Sequence, residues 1–291
     1  MATAIIIVTI IALAMLFPSE ALAWGPATHL ELGTSVLRSA AELPPGVYAL
    51  IQNYSHDFLY GNVSADIVVG KNFTEELKHC HNWRFGFKLL KKAKTDSQRS
   101  FAYGYIAHLA ADTVAHNNFI PEMLIRTFST RIHRHVYWEM RFDALVNKAV
   151  WKIPAEMERK IHTDNDALLA STLEGTPLSF GTNKTIFSGI MNLHRIKRWH
   201  AMIGLMSKIS VWDLDTDMKE RYFNAAFERI MDVLNNGEDA ASLKHDPTGK
   251  ASLKAAKTAR SRLKRLKNGG RDWEKHLQTA INGTRINTRQ R

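Results

Sequence analysis

The sequence predicts an all-α protein, a multi-helix bundle, from three observations. Apolar residues recur at steps of three and four through most long segments, which is the periodicity of one helix face. Period-two alternation, the mark of a half-buried strand, is hard to find anywhere in the 291 residues. Helix breakers and caps sit between the periodic stretches, at Pro44-Pro45-Gly46, at the polar turn Thr95–Gln98 and at Gly237. The chain is long enough for one large helical domain, and no internal repeat is visible.

The elements follow in order. Residues 1–23 stand apart: "AIIIVTIIALAMLF" carries no charge and is followed by Pro18 and by Ala21-Leu22-Ala23. The run is too short for a membrane span and has the small-residue ending of a cleavage site, so a signal peptide is expected. A basic region ahead of it is missing apart from the α-amino group, and an uncleaved anchor is the alternative. Cleavage after Ala23 would expose Trp24 and make the protein secreted or periplasmic. The single cysteine, Cys80, excludes an internal disulfide.

"GPATHLELGTSVLRSAAEL" reads as a helix with a Thr28/Glu31 capping box, closed by the Pro-Pro-Gly. "VYALIQNYSHDFLYGNVSADIVVGK" predicts a second helix that turns irregular around Gly61 and Gly70. "HNWRFGFKLLKKAK" begins an amphipathic helix, and residues 99 to about 117 form a central apolar one that "NNFIP" closes. "RTFSTRIHRHVYWEMRFDALVNKAVW" reads as one long amphipathic helix, with Pro154 as a break or a new start. Helical pattern covers 155–172 and 186–210 around the loop "EGTPLSFGTN", and "TDMKERYFNAAFERIMDVLNN" completes a packed domain over 24–243. Residues 244–291 hold 14 basic and three acidic residues, so the net charge of +11 belongs to this tail and the rest is neutral. Its apolar stripe is thin, and a solvated or weakly docked extension is expected, able to meet an anionic membrane surface.

The polar residues carry the chemistry. His108, Asp112 and His116 follow one another at steps of four in "YIAHLAADTVAHNNFIP". Four residues advance a helix by about 400°, so the three stay within about 80° of one another on an apolar helix, about 6 Å apart along its axis. His29, Asp66, the pair His79 and His81 around Cys80, and the four-apart pair His135 and Glu139 lie on or beside other helices. His133 lies six residues from Glu139 and is the decoy in that pair. Imidazole and carboxylate are the ligands that Zn2+ accepts, and a carboxylate at the middle of the trio could serve two ions. A hydrogen-bonded core network is the other reading of the same residues.

"ALAWGPATHLELG", "HLAADTVAHNNFIP" and "HVYWE", over roughly residues 24–145, resemble the zinc-dependent phospholipase C/D family, related to the S1/P1-type nucleases. The resemblance implies an all-α bundle of that type with up to three Zn2+. One ion would use Asp66, His81, His108 and Asp112. A second would use the Trp24 amino nitrogen and carbonyl, His29 and the bridging Asp112, and a third His116, His135 and Glu139. His81 is preferred to His79 because it directly precedes the "NW" helix, and Asp66 takes a second role as acceptor of the attacking water's proton.

One departure stands out: three residues separate Asp112 from His116, where the secreted bacterial phospholipases C have five with a proline. A regular helix with an aligned face is the expected result. The resemblance implies an exported phosphoric diester hydrolase acting on phospholipids or another phosphodiester. A single-strand nuclease is the alternative enzyme, with Trp83, Trp138 and Trp199 available to stack on bases and Glu139 where that branch usually has Asp. A non-catalytic metal-binding protein tethered by the tail to anionic lipid or nucleic acid is the second class, and "HRIKRWH" at 194–200 reads as a phosphate-binding rim or a surface helix face.

Overall fold

The computed structural model describes residues 24–67, 80–130, 135–158, 162–173, 179–193, 204, 210 and 212–286. Among these there are helices and no strands. The helices are α1 (Pro26–Arg38), α2 (Pro45–Asn53), α3 (Ser55–Ser64), α4 (Trp83–Lys92), α5 (Asp96–Val114), α6 (Ile120–Arg126), α7 (His135–Asp143), α8 (Ile153–Glu158), α9 (Thr163–Thr172), α10 (Phe180–Leu193), α11 (Thr216–Asn236), α12 (Lys250–Asn268) and α13 (Glu274–Asn282). The signal-peptide segment, Gly70, His79, His133 and the 194–200 segment lie outside the described residues.

Helix α5 is the axis of the bundle. From Ser100 to Val114 every residue but Tyr103 is buried, as a helix apolar on nearly all sides must be. Helices α3, α4 and α11 pack along it, and α1 bridges α3 and α11. The closest approach is between α3 and α5, where Gly61 and Gly104 face each other's helix. A Cβ on Gly61 would overlap the Phe101 carbonyl oxygen, and one on Gly104 would overlap that of Phe58. Gly61 therefore lies inside a regular helix, not in the irregular stretch expected from the sequence, because its task is close contact and not a turn.

Other expectations are corrected in the same way. Thr28 and Glu31 make no capping box: Gly25 is the N-cap of α1 and no side chain of its own caps it. Pro45 opens α2 instead of ending α1, since a proline fits the first helical turn. Asp96 opens α5 under an N-cap bond from Gln98 N to the Thr95 hydroxyl, so the "TDSQ" turn is a helix start. "NNFIP" does not close the central helix. Residues Ala115–Phe119 form a π turn that leads directly into α6, with Pro121 in its first turn. The expected long helix at 126–151 is instead α7 followed, after a turn, by the 3-10 segment Lys148–Lys152. Pro154 stands at the start of α8, and α10 begins at Phe180, inside the stretch read as loop. Helix α11 has the expected bounds, and Gly237 ends it with φ +58°.

The largest correction concerns the tail. Residues 250–268 and 274–282 are helices, not a weakly structured extension. Leu253 enters the main core, while Ala256, Leu263 and Ile281 pack against Ile125 and Phe128 of the α6 region in a satellite cluster. Ala259, Trp273, Leu277 and Ala280, partly buried, complete that cluster. Lys267 lies over the Trp273 ring at 5.3 Å, which places one of the cations on an apolar face.

Gly61→Ala and Gly104→Ala should each cost about 3 kcal/mol or more by forcing α3 and α5 apart. Gly46→Ala is the control: it is exposed in the first turn of α2 with nothing near its Cβ. That change should be neutral or stabilise by about 0.5–1 kcal/mol. Thermal melts of the three variants check the opposite signs.

Candidate metal centre

Five elements bring the expected residues to the inner face of α5. His29 comes from α1, Asp66 from the 3-10 turn Ala65–Ile67 after α3, and His81 from the segment ahead of α4, whose N-cap is Asn82. His108 and Asp112 stand on α5 itself, and His135 and Glu139 on α7.

Around Asp112 the nitrogens converge. His108 Nε2 lies 3.2 Å and His81 Nε2 3.5 Å from Asp112 Oδ2, and His29 Nε2 lies 3.4 Å from Asp112 Oδ1. His81 Nε2 is 3.3 Å from Asp66 Oδ1 and 3.2 Å from His108 Nε2. In a tetrahedron of about 2.1 Å bonds, neighbouring ligand atoms stand about 3.4 Å apart, which is the spacing zinc requires of nitrogen and oxygen ligands. Two trios, His29/Asp66/His108 and His81/His108/Asp112, have ligand atoms all within 4.8 Å of one another.

Hydrogen bonding points the same way. His108 Nδ1 lies 2.8 Å from the Asn62 carbonyl. A carbonyl only accepts, so the proton sits on Nδ1 and the Nε2 lone pair faces the cluster. Both ring nitrogens of His29, both carboxylate oxygens of Asp112 and Nε2 of His116 are buried without a hydrogen-bond partner. Buried polar atoms left so are rare, and those around Asp112 are of the kind a cation could satisfy. Burial pushes the Asp112 carboxyl up, but the His108 and His29 imidazoles that face it outweigh this and hold the group well below the usual carboxylate range. Burial, then His108, lowers His29, leaving the neutral imidazole that a metal needs.

The second grouping is smaller. The His116 and His135 rings are 5.1 Å apart at 85°, and His135 Nε2 is 3.3 Å from Glu139 Oε1. His116 sits in the π turn, not on the regular face expected for it. The most accessible side chains among those of the two groupings are His135 at 12% and Asp66 at 8%. Trp24 is fully buried: its ring stacks on Phe142 at 5.1 Å and meets the His29 ring at 6.4 Å. Cys80 is a buried small residue whose carbonyl accepts the Tyr105 hydroxyl at 2.8 Å.

Asp143 is a residue that sequence reasoning missed. It continues the four-residue ladder of His135 and Glu139 along α7. Its carboxylate accepts from the backbone N–H of Thr28 at 3.0 Å and of Ala27 at 3.3 Å, and from the Thr28 hydroxyl. It caps α1 from another helix, and so fixes His29 relative to His135 and Glu139. Burial pushes it up to about 7, against the opposing pull of those three donors.

Residues 28–175 match the family model described as zinc-dependent phospholipase C. No curated protein and no solved structure matches the chain.

Asp143→Ala strands two buried donors, Ala27 N and the Thr28 hydroxyl, and should lower stability by about 3 kcal/mol. The folded chain holds the Asp143 proton up to about pH 7, whereas the unfolded chain releases it near ~3.9. This group's contribution is therefore complete below about pH 4 and is lost as pH rises through about 7. Asp143→Asn cannot ionise, so wild type should lose stability relative to it over that window in melts run at successive pH values.

Proposed function

The chain belongs to the zinc-dependent phospholipase C family, and on that premise we propose that it is an exported zinc-dependent phosphodiesterase that hydrolyses phospholipids. The observation that carries this reading is the convergence of His29, Asp66, His81, His108 and Asp112 at metal-ligand spacing, with ligand atoms within 4.8 Å in two overlapping trios.

Asp66, His81, His108 and Asp112 would hold one ion. His29, Asp112 and the amino nitrogen and carbonyl of Trp24, freed by cleavage after Ala23, would hold a second. His116, His135 and Glu139 would hold a third. Zinc bound there supplies a water of lowered pKa and neutralises charge building on the phosphoryl oxygens.

The protein's own groups do the rest. Asp112 is held ionised in the core, and its carboxylate would be shared between two of the ions. His108 keeps its Nε2 lone pair inward because its Nδ1 proton is committed to the Asn62 carbonyl. Asp66 and His135, which keep the most exposure, are the side chains that a phosphodiester and its attacking water would meet first. Asp66 would also accept or orient the proton of that water. Asp143 sets α1 against α7 and thereby the distance between the two halves of the centre.

Zinc quantification and turnover of phosphatidylcholine vesicles and single-stranded DNA test the reading on protein processed to Trp24. Vesicle turnover with bound zinc is expected, and Asp112→Asn should reduce it by at least about 100-fold while lowering the zinc content. Residues retained ahead of Trp24 should empty one site, because an amide nitrogen does not coordinate. DNA cleavage without lipid turnover would transfer the chain to the nuclease reading, and full activity without zinc would end both.

A further inference from the structure

Among the described residues, 245–284, which lie beyond the matched family region, meet the metal centre at the π turn. Three consecutive side chains of that turn each donate to a backbone carbonyl of this segment. His116 Nδ1 donates to Pro247 O at 2.6 Å, Asn117 Nδ2 to Asp246 O at 2.8 Å, and Asn118 Nδ2 to Thr284 O at 2.9 Å. We propose that the segment is a brace for the centre, with His116-Asn117-Asn118 as its clasp and Pro247 as the group that fixes the His116 tautomer. This rests on the assignment of His116 as a ligand.

The chemistry of the first bond is one-sided. The Pro247 carbonyl only accepts, so the imidazole proton lies on Nδ1 and the lone pair on Nε2, and that Nε2 is buried without a hydrogen-bond partner. The loop that supplies the carbonyl is itself pinned. Trp83 Nε1 donates to His245 O at 2.8 Å, and the Ser252 hydroxyl donates to Asn117 Oδ1 at 2.9 Å. The Asp246 carboxylate accepts from Thr248 N at 2.9 Å and Lys250 N at 3.3 Å. Gly249 has φ +56°, and a Cβ there would overlap the Cβ and carbonyl of His116. Only glycine lets the loop lie this close. Helix α12 then anchors the loop through Leu253 in the main core and Ala256 and Leu263 in the satellite cluster. A π turn gives up the regular helical ladder at the position where a ligand must be held, and the brace supplies the missing restraint from outside.

Pro247, Asn117 and Asn118 are thus positioning groups. The test uses full-length processed protein carrying Asn117→Ala with Asn118→Ala, and separately Gly249→Ala. Lys254→Ala with Arg262→Ala on the exposed face of α12 is the control. Zinc per chain, kcat and KM on a small soluble phosphodiester, and the His116 tautomer in metal-free protein by nitrogen-15 NMR are the readouts.

The expected result is the loss of one zinc with the others retained, kcat lower by about 10–100-fold, KM within about twofold, and a mixed His116 tautomer, with the control like wild type. Full zinc and a single tautomer in the folded variants would overturn the proposal, and so would equal loss from every site. Should the clasp variants unfold, Trp83→Phe loosens the loop from its other side and is judged by the same readouts. If wild type binds no zinc but its Nδ1–H tautomer is lost in the variants, the brace stands and the zinc reading fails.

Discussion

A carboxylate in the middle of the most buried helix is the constraint around which the molecule is arranged. Asp112 has 1% of its side chain exposed, and an isolated ionised group there would cost several kcal/mol. It is tolerated because imidazoles from α1, from the segment ahead of α4 and from α5 face it at 3.2–3.5 Å. Such distances hold only if the helices that carry these groups are fixed relative to one another. Gly61 and Gly104 let α3 lie directly on α5, and α3 leads into the turn that carries Asp66. The glycine contact and the buried acid are two ends of the same requirement.

Two helices carry acid and imidazole ladders at steps of four, and the fold ties them together. On α5 the ladder is His108, Asp112 and, displaced by the π turn, His116; on α7 it is His135, Glu139 and Asp143. The last member of the second ladder caps α1, which delivers His29 to the first. Metal-ligand geometry tolerates only a few tenths of an ångström of error, and such supporting bonds provide that accuracy.

The all-α class, the bounds of α11 with Gly237 after it, and the ladder of His108 and Asp112 were legible because each is a local signal with a fixed period or a fixed backbone demand. Helix starts at Pro45 and Asp96 were misread as stops, since proline and Thr-Asp mark both ends of helices. Asp143 and the clasp were not legible for another reason. Their partners are backbone groups more than 100 residues away, and a carbonyl or an amide leaves no trace in the residue type. The docked C-terminal helices were hidden by their composition: residues 250–268 contain eight basic and no acidic residues, and the apolar positions that seat them are few.

The clasp bears on how the protein is made. Pro247 follows His116 by 131 residues and Thr284 follows Asn118 by 166, so the turn that holds His116 lacks these partners long after it has itself left the ribosome. Synthesis runs from the amino end, and His29, His81, His108 and Asp112 emerge long before those partners do. A nascent chain can therefore assemble the inner half of the centre while the outer half is still slack. Any divalent cation captured that early would meet an incomplete set of ligands, and the competent centre would date from the docking of the loop that carries Pro247.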